Sequence, residues 1–260
     1  MKVFAGNIMR CKSALMCLTL IIGCGFTSIA HGKTLSRFWQ IEVTPQQSQA
    51  FLSGMHVWLK CLRAHGSKRT FWVWKRETGR EGVYILESNS AIWSSFDKSG
   101  PLAGSCGSSY RGNVIPYIMK LSSWLSLDEP LLSYLPKVRA KMPALLDLVS
   151  YRVKLDRSKE FKSFLSALTK AAAIVKLDCF WETKEFIDSG RFKPNFVILY
   201  PANSWSTFAA RRCYSINLIG QTVFGNSASI AGNTTFDDAI MKSWSNVYSY
   251  ARMLSYTPRK

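Results

Sequence analysis

Histidine is the side chain that most readily serves as general base or metal ligand near neutral pH, and the chain has three. His31 falls in a leader-like segment, which leaves His56 and His65. His56 sits in "FLSGMHVWLKCLRAHG", whose apolar spacing predicts a helix. The matching stretch of the second half, "FKSFLSALTKAAAIV", has no histidine. His56 is therefore either a function kept in one half only or a surface or packed histidine. His65 precedes Gly66 at a predicted helix end, where a cation complements the helix dipole.

The strand-like "FWVWK" (71–75) is the second candidate. Strand alternation puts Phe71 and Val73 on one face and Trp72 and Trp74 on the other. "FWETK" (180–184), set beside it, makes Trp181 the partner of Trp72. Trp72, Trp74 and Trp181 could line a cavity for a small apolar or aromatic ligand; the competing reading makes them plain core. His56 completes this candidate ligand site. Trp93 and Trp205 read as packing residues.

Carboxylates are sparse. Asp128 and Glu129 are adjacent, so a strand points them to opposite faces, and Asp237-Asp238 sit at a predicted helix start. Neither pair has the spacing of a general acid and base. "GSCGSSYRG" (104–112) lacks the GxxxxGK[ST] phosphate loop and reads as a flexible loop. The segments at 99–114 and 214–235 differ most between the halves and are the natural places for specificity. Cys61, Cys106, Cys179 and Cys213 match no zinc spacing. In an exported chain, four cysteines suggest two disulfides, with three connectivities open. No metal and no cofactor is expected from these residues.

The first 32 residues carry Lys2, Arg10 and Lys12, then the uncharged run "SALMCLTLIIGCGF" and small residues before 31 and 33. This predicts a secretory signal peptide over 1–32 and a periplasmic or secreted product. "IIGC" also allows a lipoprotein anchored through Cys24. Lys and Arg number 34 against 16 acids, a net charge of +18. An exported basic chain points away from nucleic acid and toward an anionic membrane surface or an acidic protein.

These residues must be positioned by a repeated framework. "IMKLSSWLSLDEPLLSYLP" (118–136) and "IMKSWSNVYSYARMLSYTP" (240–258) agree at 8 of 19 positions without a gap. Further matches follow in the same order: 38–51 with 148–161, 71–75 with 180–184, and 83–96 with 195–208. A tandem duplication over 33–137 and 138–260 follows. Each unit reads β-α-β-β-α-β: strands near 39–43 and 151–155, helices to Leu62 and over 158–175, strands at 71–75 and 179–183, and third strands "VYILE" and "FVILY". A short helix and a helical stretch through "IMK" then lead to the last strands, near 123–127 and 247–250. That order is a ferredoxin-like split βαβ unit. Its open sheet face needs cover, which two units supply by packing sheet to sheet. The fold class is α+β, a single-chain pseudo-dimeric α+β barrel, and the chain is expected to be a monomer.

On these strands, hairpins and following "W-x-x-[FL]" helices, both halves resemble the dimeric α+β barrel superfamily. That resemblance implies small monooxygenases, haem-degrading enzymes and chlorite dismutase-like proteins as functional relatives. With no catalytic set legible, the leading expectation is a non-enzymatic exported protein that binds an apolar or aromatic ligand or an anionic envelope surface. The alternative is a cofactor-poor monooxygenase or a haem-binding enzyme, for which His56 is the only candidate axial ligand.

Overall fold

The computed structural model describes residues 34–90, 93, 104–135, 142–187, 194–210 and 216–258. The leader with Cys24, most of the 188–195 turn, and Cys213 lie outside the described residues. The fold is mixed α+β around a closed barrel of eight strands.

The first half runs β1 (Leu35–Glu42), α1 (Ser48–Ala64), β2 (Trp72–Arg76), β3 (Val83–Ser90), α2 (Gly107–Asn113) and β4 (Lys120–Asp128). The second runs β5 (Leu145–Val153), α3 (Ser158–Ile174), β6 (Glu182–Phe186), β7 (Phe196–Ala202), α4 (Trp205–Ala210), α5 (Ile216–Phe224), α6 (Asn226–Ala239) and β8 (Ile240–Tyr250). Around the barrel the order is β1-β3-β2-β8-β5-β7-β6-β4, every pair antiparallel. The sequence of roles repeats after four strands. Closure rests on two seams, β2 with β8 and β4 with β6. Closing the sheet removes its edges, which would otherwise offer unpaired backbone groups.

Alternation splits the core into three. Odd residues of β1 and β2 and even residues of β3 face α1 and α2, where Ile41, Val73, Tyr84 and Leu86 meet Phe51, Met55, Trp58, Leu59 and Leu62. Those helix positions recur every three or four residues, one apolar stripe. Phe161, Leu165, Leu168 and Ala172 of α3 do the same for Tyr151, Phe196 and Ile198. The opposite strand faces point into the barrel and pack Phe38, Trp74, Ile85, Leu146, Phe186, Val197, Leu199 and Tyr248.

Both long helices end alike. Ser67 N–H reaches Leu62 O and Leu177 N–H reaches Ala172 O, the six-to-one bond of a Schellman cap. The left-handed residue is Gly66 (φ 56°) after α1 and Lys176 (φ 51°) after α3. Gly54 lets α2 seat on α1: a Cβ there would lie 1.6 Å from the Asn113 carbonyl oxygen.

The two tails cross over. Tyr134, after the first half, forms a backbone bridge to Trp181 of the second, and Tyr256 bridges to Phe71 of the first. Leu132 and Leu254 are buried in the opposite half's helix-side core. The Tyr256 hydroxyl caps the region after α1 by donating to Leu62 O and Ser67 O.

Several expectations change. The segment 104–114 holds α2, and 216–239 is almost wholly helical, so these are not simple loops. The strand expected at 179–183 runs from Glu182 to Phe186. The second "IMK" opens β8 at Ile240, and the first leads into β4 at Lys120, rather than ending a helix. Trp93 and Trp205 are exposed rather than packed into the core, although Trp205 touches Phe208 edge to face.

Candidate functional site

The tryptophan set expected to share a cavity does not form. Trp72 and Trp74 belong to the barrel interior, Trp74 buried and Trp72 partly so. Trp181 lies on the other side of the sheet, buried against α3, its indole N–H donating to Leu132 O at 2.9 Å. The reason is one residue of register. The tail bridges make Phe71, not Trp72, the counterpart of Trp181. A slip of one residue in a strand moves every side chain to the opposite face. His56 is exposed on α1, directed away from the barrel. His65 is also exposed, so neither described histidine reaches the interior, and these residues do not fit an axial role toward a haem there.

Corrected register exposes what the sequence comparison hid. The counterparts of Trp72 and Trp74 are Glu182 and Lys184. At one seam Trp74 stands opposite Tyr250, ring centroids 5.3 Å apart. At the equivalent place on the other seam Lys184 stands opposite Asp128. One end of the barrel interior is thus half aromatic and half charged.

Lys184 is fully buried, its ammonium 2.7 Å from Asp128 Oδ1, 2.7 Å from Glu182 Oε1 and 3.5 Å from Glu87 Oε1. It also reaches Ser36 Oγ at 3.4 Å and lies over the Phe38 ring at 5.9 Å. Glu87, on the inward face of β3, accepts from the Trp74 indole N–H at 3.4 Å, linking the charged half to the aromatic half. The carboxylates are graded toward solvent. The side chain of Glu87 is 9% exposed, that of Glu182 14% and that of Asp128 25%, so the cluster opens past Asp128. Ser126 Oγ, on the inward face of β4 between Trp124 and Asp128, is buried without a hydrogen-bond partner.

Three carboxylates gather around the Lys184 ammonium in a dry place. Burial pushes Glu87 above the usual carboxylate range, and Glu182 and Asp128 push it further, against the opposing pull of Lys184 and the Trp74 bond. Burial raises Asp128 as well, despite its ion pair with Lys184. Burial alone would lower Lys184, but Glu182, Glu87 and Asp128 outweigh it and hold the ammonium above the ordinary lysine value. A buried carboxyl raised in this way is a stronger base than a solvated one, and it sits beside a fixed cation. Such a pair has the chemistry to accept a proton next to a positive charge. Sequence reasoning missed all of them but Asp128, and Asp128 was set aside by pairing it with Glu129. The signal was present in "FWETKEF", where Glu182, Lys184 and Phe186 share the face opposite Thr183.

No protein-family model matches the chain, and no curated protein matches it. Among solved structures it is similar to a candidate monooxygenase from Fusobacterium nucleatum subsp. nucleatum, with TM-score 0.57 and 10% identity over 87% of this chain and 99% of that one. It is also similar to an anthrone oxidase-like protein, at 0.54 and 11% over 85% and 92%. A chlorite dismutase variant from Candidatus Nitrospira defluvii gives 0.52 and 6% over 85% and 93%. At these identities the likeness establishes the fold alone, a mixed α+β closed barrel of eight antiparallel strands. The neighbours bear the names of a monooxygenase, an anthrone oxidase-like protein and a chlorite dismutase. They turn the functional reading away from the non-enzymatic binding protein that the missing catalytic histidine had suggested, and toward its enzymatic alternative.

Proposed function

We propose that the chain is a cofactor-poor oxygenase or oxidase that acts on a hydroxylated aromatic substrate at the charged end of the barrel interior. The observation that carries this is the Glu87–Lys184–Asp128–Glu182 cluster facing Trp74 and Tyr250 in one interior layer. The monooxygenase-like and anthrone oxidase-like proteins among the structural neighbours support the reaction class.

An anthrone-type substrate has a weakly acidic methylene para-like to an oxygen that carries the resulting charge. Ionised Glu87 takes the methylene proton, and Lys184 holds the oxyanion. The carbanion passes electrons to O2 and a C–O bond forms. The peroxide anion takes the proton back from Glu87 to give a hydroperoxide. Glu87 then removes the second proton from the same carbon as the O–O bond breaks, and the departing hydroxide takes that proton to leave as water, with a carbonyl on the carbon. One O2 is consumed, one oxygen atom enters the product and the other becomes water. Trp72, Trp74 and Tyr250 supply ring faces for stacking, and Ser126 Oγ offers an unused hydrogen-bonding group.

The two halves are tandem ferredoxin-like units that build an internal pseudo-dimer. The repeating strand order, the matched caps at Gly66 and Lys176 and the crossed tails support this. The barrel closes within one chain, which supports action as a monomer, and the leader-like sequence of residues 1–32 supports export. The test is oxygen uptake with a set of hydroxylated anthrones. The wild type should turn over at least one of them, and folded Glu87→Gln should be slower by about 10²- to 10⁴-fold, the usual contribution of a general base. Equal rates in the two proteins would overturn the assignment.

A further inference from the structure

The helix layer of the first half holds a second group of chemically capable side chains, remote from the barrel interior. Cys61 and His65 are four residues apart at the end of α1, which puts them on one face. Cys106 is the residue before α2. Seating of α2 on α1 through Gly54 brings Cys106 to them, and Cys61 and Cys106 are joined as a disulfide. His65 Nδ1 lies 3.6 Å from each sulfur. All three ligand atoms fall within 4.8 Å of one another.

We infer that reduction of the Cys61–Cys106 disulfide converts this corner into a site for Zn2+ or a similar borderline-soft divalent cation. A tetrahedral zinc with sulfur at about 2.3 Å and nitrogen at about 2.0–2.1 Å sets those two atoms about 3.6 Å apart. His65 already stands at that distance from both sulfurs, so only the sulfurs need to separate once the bond between them is gone. A dithiol reductant supplies two electrons and two protons to the disulfide and is itself oxidised to a disulfide. The two thiols then lose their protons as the cation binds. In the oxidised form His65 Nδ1 donates to Cys61 O at 3.0 Å. On binding that bond is given up and the ring proton moves to Nε2, which the exposed position of His65 leaves free to meet water. Cys106 is buried and Cys61 partly so, while His65 is exposed. The cation therefore enters from the His65 side, and the three protein ligands leave its fourth position open on that side. The disulfide form offers no thiolate, so occupancy is gated by redox state.

The experiment is a titration of the full-length chain with Zn2+ against a chromophoric chelator, before and after reduction, repeated with Co2+ to read thiolate ligation from its charge-transfer absorption. One equivalent should bind to the reduced chain only. Cys61→Ser/Cys106→Ser, which keeps Cys179, should show no binding. His65→Ala should weaken it by more than about tenfold, the least that disturbing a ligand's support costs. If reduction alone unfolds the chain, Zn2+ should restore its near-UV circular dichroism, because binding to the folded form is folding free energy. Absence of binding and of refolding, or binding indifferent to both variants, would overturn the inference.

Discussion

Replacement of Lys184 by methionine removes one charge and little volume. The side chain is wholly buried, and its ammonium is 2.7, 2.7 and 3.5 Å from three carboxylates. Taking away the cation strands those carboxylates in the barrel, and loss of one partner of a buried pair costs about 3–5 kcal/mol. For a chain of this size that is a fall in Tm of about 6–20 °C. The cost belongs to the stranded negative charge, so it should shrink as the carboxylates take up protons. It should also largely vanish in Lys184→Met/Glu87→Gln/Asp128→Asn/Glu182→Gln, since neutral replacement of a whole buried ionic group is often harmless. Urea unfolding followed by circular dichroism at pH 7 and pH 5 measures each part. A cost below about 1 kcal/mol at pH 7, or the same cost at both values, would refute the picture of a dry cation that neutralises its neighbours.

Three further outcomes follow from the same geometry. Glu87 is raised by burial, so its contribution to stability is complete below the ordinary carboxylate value and is lost as pH rises through the folded-state value. Glu87→Gln should flatten the urea-midpoint curve above pH 4.5, by up to about 1.4 kcal/mol per pH unit; parallel curves would contradict the assignment. Gly54→Ala places a methyl 1.6 Å from the Asn113 carbonyl oxygen and should cost about 1–3 kcal/mol in denaturant melts as α2 is pushed off α1. Lys176→Gly removes a left-handed φ of 51° from a side-chain-bearing residue and should stabilise by about 0.5–1 kcal/mol, as Gly66 already does at the matching cap.

Much of the framework was legible because similar patterns occur in both halves of the sequence. Element order, the span of α1 and α3, and the importance of "LSYxP" follow from patterns repeated 110 to 122 residues apart. The exchange of tails between halves was not legible, since sequence similarity says which segments match and not which surface each one covers. The site was lost to a single residue of register. Aligning Trp72 with Trp181 satisfied the eye for identical letters, whereas the fold aligns Phe71 with Trp181 and so Trp74 with Lys184. Identity at a strand position is weaker evidence than the face it occupies. Glu87 escaped notice for another reason: its partners come from β1, β2, β4 and β6, and no local pattern joins them. The position of His65 suits a helix-end cation, but its closeness to two sulfurs depends on the packing of α2.

The central claim is that Glu87 removes a proton from carbon beside the Lys184 ammonium, before oxygen takes part. Exchange of the methylene protons of a hydroxylated anthrone with deuterated solvent, followed by NMR without oxygen, isolates that step. The wild type should accelerate exchange well above buffer, and folded Glu87→Gln and Lys184→Met should return it to the buffer rate. Exchange that is no faster with the wild-type protein, or equally fast with both variants, would contradict it.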